Sequence, residues 1–224
     1  GAVRAMSVVS GEREAFRLTR TGPEWRDGNL DALRDTFNRQ HCVKLHGFLE
    51  PQLLHQVHRL VAEADFSEFV HEGIASELLM AAGVCTGVLD FLVNDPRLFE
   101  FIRAITACPP IRAFVGRVYR RCPGTDHHDS WHDDLGRQRM IGMSVNLSAD
   151  RYDGGTFEIR RFGTDTLIAS LPNVGPGDAI LFRIADGLEH QVTAVGGAVP
   201  KTAFAGWFVG HRPDEPSDRV AAVP

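Results

Sequence analysis

The chain has 224 residues, of which 43% are hydrophobic and 24% charged, and its formal net charge is −5 at pH 7. This composition is typical of a globular protein, and the length suits one domain with an insertion. No apolar run approaches the roughly 20 residues of a membrane-spanning helix, and the negative charge disfavours nucleic acid, which binds positive surfaces. The first residues also lack the apolar stretch of a signal peptide. We therefore expect a soluble cytoplasmic protein without a membrane or nucleic-acid partner.

Helical periodicity dominates the first half of the chain. The predicted elements are helices beginning near Leu30, at Pro51 and near Ala81, the last broken at Pro96, and one short strand at residues 42–45. Prolines at 51 and 96 suit the first turn of a helix, where the missing N–H costs nothing. We expect residues 1–22 to be a flexible N-terminus and residues 23–110 to form a helical buttress that includes the short strand.

The pattern changes after residue 110. Alternating segments rich in β-branched residues, separated by Gly- and Pro-rich turns, predict a series of short strands. These strands are residues 111–121, 140–147, 155–160, 167–169, 179–183, 190–195 and 202–209. Helices followed by many short strands favour a mainly β protein of the α+β class, a jelly roll buttressed by helices. We expect residues 111–212 to form this β core and residues 213–224 a C-terminal tail, within one structural domain.

A ten-residue segment between two predicted strands is dense in metal-binding residue types. Residues 125–134 contain three histidines and four aspartates, and a remote histidine, His190, follows the strand at 179–183. On extended backbone, a His-x-Asp pair directs both side chains to one face, since the strand period is two. Two imidazoles and one carboxylate can bind a divalent metal and leave three coordination positions open, as in non-heme Fe(II) oxygenases. The alternative interpretation of the pair alone is a solvated acidic turn.

The segment contains two His-x-Asp pairs, and either could provide metal ligands. We favour His132 and Asp134 over His127 and Asp129, because they lie closer to the following predicted strand. His127, His128 and Asp129 would then face the mouth of the site and contact substrate.

Five sequence elements follow one another between residues 111 and 211. They are the His-x-Asp segment, the Arg-led strand 139–148, the start of a strand at Gly154-Gly155, the turn and strand 172–182, and His190-x-Val192 followed by Lys201 and Trp207. This order resembles the core of the Fe(II)/2-oxoglutarate-dependent dioxygenases, in particular members like the prolyl and phytanoyl hydroxylases. The resemblance implies a double-stranded β-helix and an enzyme that uses Fe(II), 2-oxoglutarate and O2.

The resemblance also implies roles for individual residues. His132, Asp134 and His190 would bind the iron. Lys201 would pair with the distal carboxylate of 2-oxoglutarate, which a lysine recognises as a point charge. Asn146 stands where relatives often have a hydrogen-bonding aromatic residue, and it could donate to the same carboxylate.

Several further residues are candidates for contact with co-substrate or substrate. Arg117, Tyr119 and Arg121 share one face of the strand at 111–121, and Trp207 is a candidate for substrate contact. Asp134 occupies the position at which iron halogenases of this family have a small residue that admits chloride. The resemblance therefore favours hydroxylation, or a related desaturation or cyclisation, over halogenation.

We expect the substrate to be a small polar metabolite or natural-product intermediate, because the chain is short and the segment at the mouth is rich in His and Asp. Oxidation of its C–H bond would release succinate and CO2. A peptidyl side chain is an alternative substrate. Two other classes also fit the pattern: a cupin-like metal enzyme that does not use 2-oxoglutarate, such as an epimerase, and a non-catalytic jelly-roll binding module.

Overall fold

A computed structural model of the protein describes residues 16–25 and 30–212. Within these ranges the helices are α1 (Leu30–Gln40), α2 (Pro51–Glu63), α3 (Val84–Val93) and α4 (Pro96–Thr106). The strands are β1 (Phe16–Thr19), β2 (Gly22–Trp25), β3 (Cys42–Leu45), β4 (Phe66–His71), β5 (Ala75–Met80), β6 (Ala113–Arg121), β7 (His128–Asp129), β8 (Arg139–Asn146), β9 (Asp153–Gly154), β10 (Phe157–Arg161), β11 (Leu167–Leu171), β12 (Ala179–Arg183), β13 (Leu188–Val192), β14 (Val195–Gly196) and β15 (Lys201–Val209). The predicted helix breaks and most of the predicted strands agree with these bounds.

Most of the strands form one large and one small antiparallel sheet, and two further pairs, β1 with β2 and β9 with β14, form two-stranded sheets. The major sheet has the order β3-β12-β8-β15-β6-β5-β4, with β7 paired to β5. The minor sheet has the order β11-β10-β13, and β9 pairs with β14. Non-consecutive neighbours such as β12 and β8 show the crossovers of a jelly roll. The predicted mainly β fold, a jelly roll buttressed by N-terminal helices, is confirmed.

The helices cover one face of the major sheet. α2 and α4 each begin with a proline, and Asp95 caps α4 by accepting a hydrogen bond from the backbone N–H of Arg97 at 2.8 Å. Their apolar faces, including Leu53 of α2 and Phe101 of α4, join the main apolar core with Phe204 of β15. Because side chains alternate along a strand, the other face of the same sheet is left to build the site.

Two strands within the predicted helical buttress were missed, β4 and β5. Five of the six residues of β4 are exposed, so the strand has no buried face and no apolar alternation to detect. It is held by its neighbour: β4 pairs with β5, and β5 pairs with β6 through Leu79 opposite Tyr119. This hairpin extends the major sheet beside the candidate site.

The N-terminal region also differs from expectation. Residues 16–22, which we assigned to a flexible N-terminus, include β1 and the start of β2. Phe16 and Leu18 are buried, and the Phe16 ring stacks on Phe101 with centroids 4.6 Å apart. Residues 1–15 and the predicted tail at 213–224 lie outside the described residues. None of the described helices is long and apolar enough to span a membrane.

Candidate active site

His132, Asp134 and His190 converge at the open side of the β core. His132 lies between β7 and β8, and His190 lies in β13. Their backbones are joined by two hydrogen bonds, from His132 N to His190 O at 3.1 Å and from His190 N to His132 O at 2.9 Å. One ligand atom from each of the three side chains lies within 4.8 Å of the others, and among the described residues this is the only such group. Residues 58 positions apart are thus brought together by backbone pairing rather than by chance side-chain contact.

The carboxylate of Asp134 lies between the two imidazoles. Its Oδ1 is 3.6 Å from His132 Nε2, and its Oδ2 is 3.2 Å from His190 Nε2. Burial would raise the pKa of Asp134, but the two histidines outweigh burial and hold it far below its usual value. Burial likewise would lower the pKa of His132, yet Asp134 and Asp129 raise it to about 9. The site therefore attracts positive charge, as a metal site must.

The orientation of His132 suits a metal ligand. Its Nδ1 donates a hydrogen bond to the backbone carbonyl of Ser130 at 2.6 Å, and its Nε2 faces Asp134, so Nε2 is the nitrogen that would coordinate. Metal-binding histidines usually have such a partner on the second ring nitrogen, because it fixes tautomer and orientation. The residues present therefore fit a divalent metal.

Two residues of the major sheet hold Asp134 in place. The indole Nε1 of Trp207 donates to Asp134 Oδ2 at 2.8 Å, and Arg139 Nη1 is 3.4 Å from Oδ1. The Arg139 guanidinium carbon lies 3.6 Å from the centroid of the Trp207 ring, a cation–π contact. Burial lowers the pKa of Arg139, Asp134 opposes this shift, and the nearby guanidinium groups of Arg137 and Arg117 lower the pKa further. Positive charge is therefore concentrated at this rim of the site.

A cavity of about 340 Å³ opens beside the triad. It is lined by the three candidate ligands and by predicted residues of the site: Arg117, Tyr119, Arg121, Asp129 and Trp207. Phe69 and Ile74 of the β4–β5 hairpin line its mouth, and Phe157 and Phe182 line its wall. A larger cavity of about 470 Å³ lies next to α4 and the start of β6, and none of the predicted site residues lines it. We therefore identify the candidate site by its lining residues and not by cavity volume.

A buried charged cluster lies at the inner end of the cavity. Glu77 is completely buried and accepts hydrogen bonds from Arg117 at 2.8 Å and from Arg121 at 2.9 Å. Asp129 is 3.4 Å from Arg121 and accepts a hydrogen bond from Val192 N at 2.7 Å. Sequence analysis missed Glu77, because β5 was not predicted. A single Glu within the apolar stretch 75–80 was the available signal.

Lys201 and Asn146 lie behind the cavity and are not among its lining residues. Lys201 is buried, and its Nζ donates to the carbonyl of Gly155 at 2.9 Å. Burial, and then the charge of Arg121, lowers the pKa of Lys201 to about 7. Asn146 Oδ1 accepts from Ser148 N at 2.9 Å, while its buried Nδ2 has no hydrogen-bond partner among the described residues.

His127 and His128 lie away from the cavity, contrary to our expectation that they face its mouth. His127 is buried, with Nδ1 accepting from Cys122 N at 2.9 Å and Nε2 3.2 Å from Glu68. His128 is exposed and donates to its own loop, at Asp126 O. The turn after β6 closes on His127 and so keeps its imidazole out of the cavity, whereas Asp129 of the same pair lines the cavity. Of the two His-x-Asp pairs, only the second converges with His190.

Residues 117–209 match the family model of the 2OG-Fe(II) oxygenase superfamily. No curated protein matches the chain significantly in sequence. The fold is similar to that of a prolyl-4-hydroxylase from Pseudomonas putida, with 18% identity and a TM-score of 0.60, over 81% of this chain and 98% of that one. It is also similar to a 2OG-Fe(II) oxygenase family oxidoreductase from Burkholderia pseudomallei, with 15% identity and a TM-score of 0.62, over 88% and 96% of the two chains.

Two further structures have the same fold. A prolyl hydroxylase from Trichoplax adhaerens, in complex with a peptide of hypoxia inducible factor, has 15% identity and a TM-score of 0.61 over 80% of this chain and 88% of that one. A non-heme α-ketoglutarate-dependent epimerase of nogalamycin biosynthesis has 15% identity and a TM-score of 0.58 over 79% and 80%. At these identities the likeness concerns the fold.

Proposed function

From the match of residues 117–209 to the 2OG-Fe(II) oxygenase superfamily, we infer that this protein is an Fe(II)/2-oxoglutarate-dependent dioxygenase and that His132, Asp134 and His190 bind its iron. The observation that carries the proposal is the convergence of their ligand atoms within 4.8 Å, supported by the backbone pairing of the two histidines. The set is the two-histidine, one-carboxylate arrangement, which leaves positions open for co-substrate and O2. The match of residues 117–209 to the 2OG-Fe(II) oxygenase superfamily favours this proposal over a cupin-like enzyme without 2-oxoglutarate and over a non-catalytic module.

The chemistry that Fe(II) and 2-oxoglutarate supply when bound is oxidation of a substrate C–H bond by O2, with succinate and CO2 as co-products. The chain's own residues hold the ligands and limit access to them. Trp207 and Arg139 fix the Asp134 carboxylate, and Ser130 fixes His132. Such partners of the ligands are worth about 10- to 100-fold in metal affinity.

Aromatic side chains shield the histidine of the minor sheet. The ring of Phe182 lies 4.5 Å from that of His190, and the ring of Phe157 lies 5.9 Å from it. Both rings also line the cavity wall. An apolar wall excludes water, which strengthens charge interactions inside and protects reactive species from side reactions.

We assign the 2-oxoglutarate site to the inner end of the same cavity. Lys201 and Asn146 are proposed to bind the distal carboxylate, with Tyr119 and Arg117 lining the space between them and the iron site. The buried, unpartnered Nδ2 of Asn146 supports this, because such a donor is costly unless a ligand accepts from it. Asp129 and Trp207, by contrast, support their neighbours through hydrogen bonds, so we propose structural roles for them.

The proposed reaction is hydroxylation, desaturation or cyclisation of a small polar metabolite or natural-product intermediate. A cavity of about 340 Å³ that must also hold 2-oxoglutarate suits a compact substrate. The rim offers Arg137 and Arg139 for polar groups and Phe69 and Ile74 for apolar ones. The epimerase of nogalamycin biosynthesis shows that this fold serves a natural-product pathway in another protein. A cytoplasmic location remains our prediction.

The test is succinate release from labelled 2-oxoglutarate by protein purified without oxygen and loaded with Fe(II), screened against a panel of metabolites. His132→Ala and Asp134→Ala should each abolish release. His127→Ala is the matched control, because this histidine lies outside the cavity, and it should retain release. Unchanged turnover in both ligand variants would contradict the proposed iron site.

A further inference from the structure

We propose that Arg121 is a second residue that binds the distal carboxylate of 2-oxoglutarate, providing hydrogen-bond donors beside the charge of Lys201. This inference rests on the proposed function, and in particular on the assignment of the co-substrate to the inner end of the cavity. It concerns a residue on β6, whereas Lys201 lies on β15.

Arg121 is a buried side chain with unused donors. Only 5% of it is exposed, yet it lines the cavity that contains the iron ligands. Its Nη2 contacts Glu77 at 2.9 Å and Asp129 at 3.4 Å. Its Nε and Nη1 are buried and have no hydrogen-bond partner among the described residues. Because unpaired buried donors are costly, their persistence next to a cavity indicates a ligand that accepts from them.

Arg121 and Lys201 form a direct cross-strand pair. They are opposite each other in the register of β6 and β15, so both side chains lie on the cavity-facing side of the sheet. The Arg121 guanidinium carbon lies 4.6 Å from the centroid of the Tyr119 ring, which helps to fix its orientation. Lys201 is held by Gly155 O at 2.9 Å. Two cations therefore lie side by side on the same face of the sheet, with Arg121 in the cavity lining and Lys201 behind it.

The local charge count explains why both are needed. Two carboxylates and two guanidinium groups cancel one another at this end of the cavity: Glu77, Asp129, Arg117 and Arg121. Lys201 beside them then balances the charge of an incoming carboxylate. A buried carboxylate also needs hydrogen-bond donors for its lone pairs, because attraction between charges alone does not offset the free energy of desolvation. Arg121 provides these donors in a fixed direction, and hydrogen bonds to charged groups are the strong ones.

The test measures equilibrium binding of labelled 2-oxoglutarate to Fe(II)-loaded protein without oxygen. Pyruvate serves as the comparison ligand, because it has the 2-oxo acid group and lacks the distal carboxylate. Arg121→Met should weaken 2-oxoglutarate binding by about 10- to 100-fold and leave pyruvate binding unchanged. Arg120→Met is the matched control, since Arg120 lies on the opposite face of β6 and donates to Thr202. It should bind both ligands like wild type.

A second variant guards against misfolding. Removing the guanidinium leaves Glu77 buried without one of its partners, so Arg121→Met is repeated together with Glu77→Gln, and the same ligand-selective loss is expected. Equal loss for both ligands, or no loss for 2-oxoglutarate while Lys201→Met weakens it, overturns the role of Arg121. Failure of wild type to bind 2-oxoglutarate, or no effect of Lys201→Met and His132→Ala, would instead overturn the proposed function and this inference with it.

Discussion

The same strands give the major sheet two different faces, one apolar and one that carries charged groups. Toward the helices, β15 buries Phe204 and Phe208 in an apolar core without charged members. Toward the minor sheet, the same strand presents Lys201 and Trp207 to a buried set of charges. The helix-facing side gains from burial of apolar area, whereas the cavity-facing side buries charged groups that are costly unless paired. Stability is therefore concentrated on one face and function on the other.

The largest effect on function should come from the cavity-facing side. Asp134→Ala should reduce succinate release to the background without enzyme, because it removes one of three proposed iron ligands. The free energy of unfolding without metal should fall only modestly, because the variant loses the ion pairs with His132 and His190 but removes no apolar side chain from the core. Measured by denaturant titration, a large loss of stability would show that the two faces are not separate in function.

The largest effect on stability should come from the helix-facing side. Phe208 is completely buried, and its ring lies 4.9 Å from that of Phe114 and 6.0 Å from that of Phe99. Phe208→Ala should lower the free energy of unfolding by about 3–5 kcal/mol. The control Phe91→Ala concerns a ring that is 82% exposed and should cost less than about 0.5 kcal/mol. Similar losses in the two variants would contradict the assignment of the core.

Trp207 lies on the cavity-facing side, and its replacement tests a hydrogen bond on that side without removing an aromatic ring. Trp207→Phe keeps an aromatic ring but removes the donor to Asp134. Affinity for Fe(II) should fall by about 10- to 100-fold, measured by competition with a chelator. Arg160 provides a control, since its guanidinium stacks on Trp131 outside the triad. Arg160→Met should leave iron affinity unchanged, and a matching fall there would point to a general loss of structure.

The smallest effect concerns pH. The pKa of Lys201 is about 7, against an ordinary 10.5, because burial and then the charge of Arg121 disfavour the protonated form. The charges of Asp129 and Glu77 act in the opposite direction. The other group that faces Lys201 is the Tyr152 ring, whose centroid is 5.7 Å from Nζ. The dicarboxylate should bind the protonated lysine, so affinity for 2-oxoglutarate should fall above pH 7 by at most about tenfold per pH unit. Titrations at several pH values should show this slope in wild type.

The same lysine should affect stability with the opposite sign. Between pH 7 and 10.5 the unfolded chain holds a proton on Lys201 that the folded chain lacks. The free energy of unfolding should therefore rise with pH across this window. Lys201→Met should remove both this rise and the pH slope of co-substrate binding. A slope that persists in the variant would assign the titration to another group.

The iron-ligand candidates could be predicted because local spacing carries the information. The His-x-Asp spacing identified His132 and Asp134, and the family-like order of strands identified His190 as the partner. Asp134 itself lies outside the strands, with φ 58°, so its approach to His132 depends on the turn before β8 rather than on strand alternation. The fold class followed from the same patterns, and it is confirmed. His127 and His128 were misplaced, because the closure of the turn at Cys122 on His127 depends on a contact that spacing does not encode.

The amino-acid sequence by itself determined the order of helices and strands, the alternation that gives each strand two different faces, and the chemistry of the His-x-Asp pair. The tertiary structure alone decided which buried charges meet. Glu77 and Arg121 are 44 residues apart and lie together only because the exposed β4–β5 hairpin adds to the edge of β6. Periodicity reports the environment of a residue relative to its neighbours in the chain, whereas pairing of distant charges depends on strand register, which is set by backbone hydrogen bonds across the sheet.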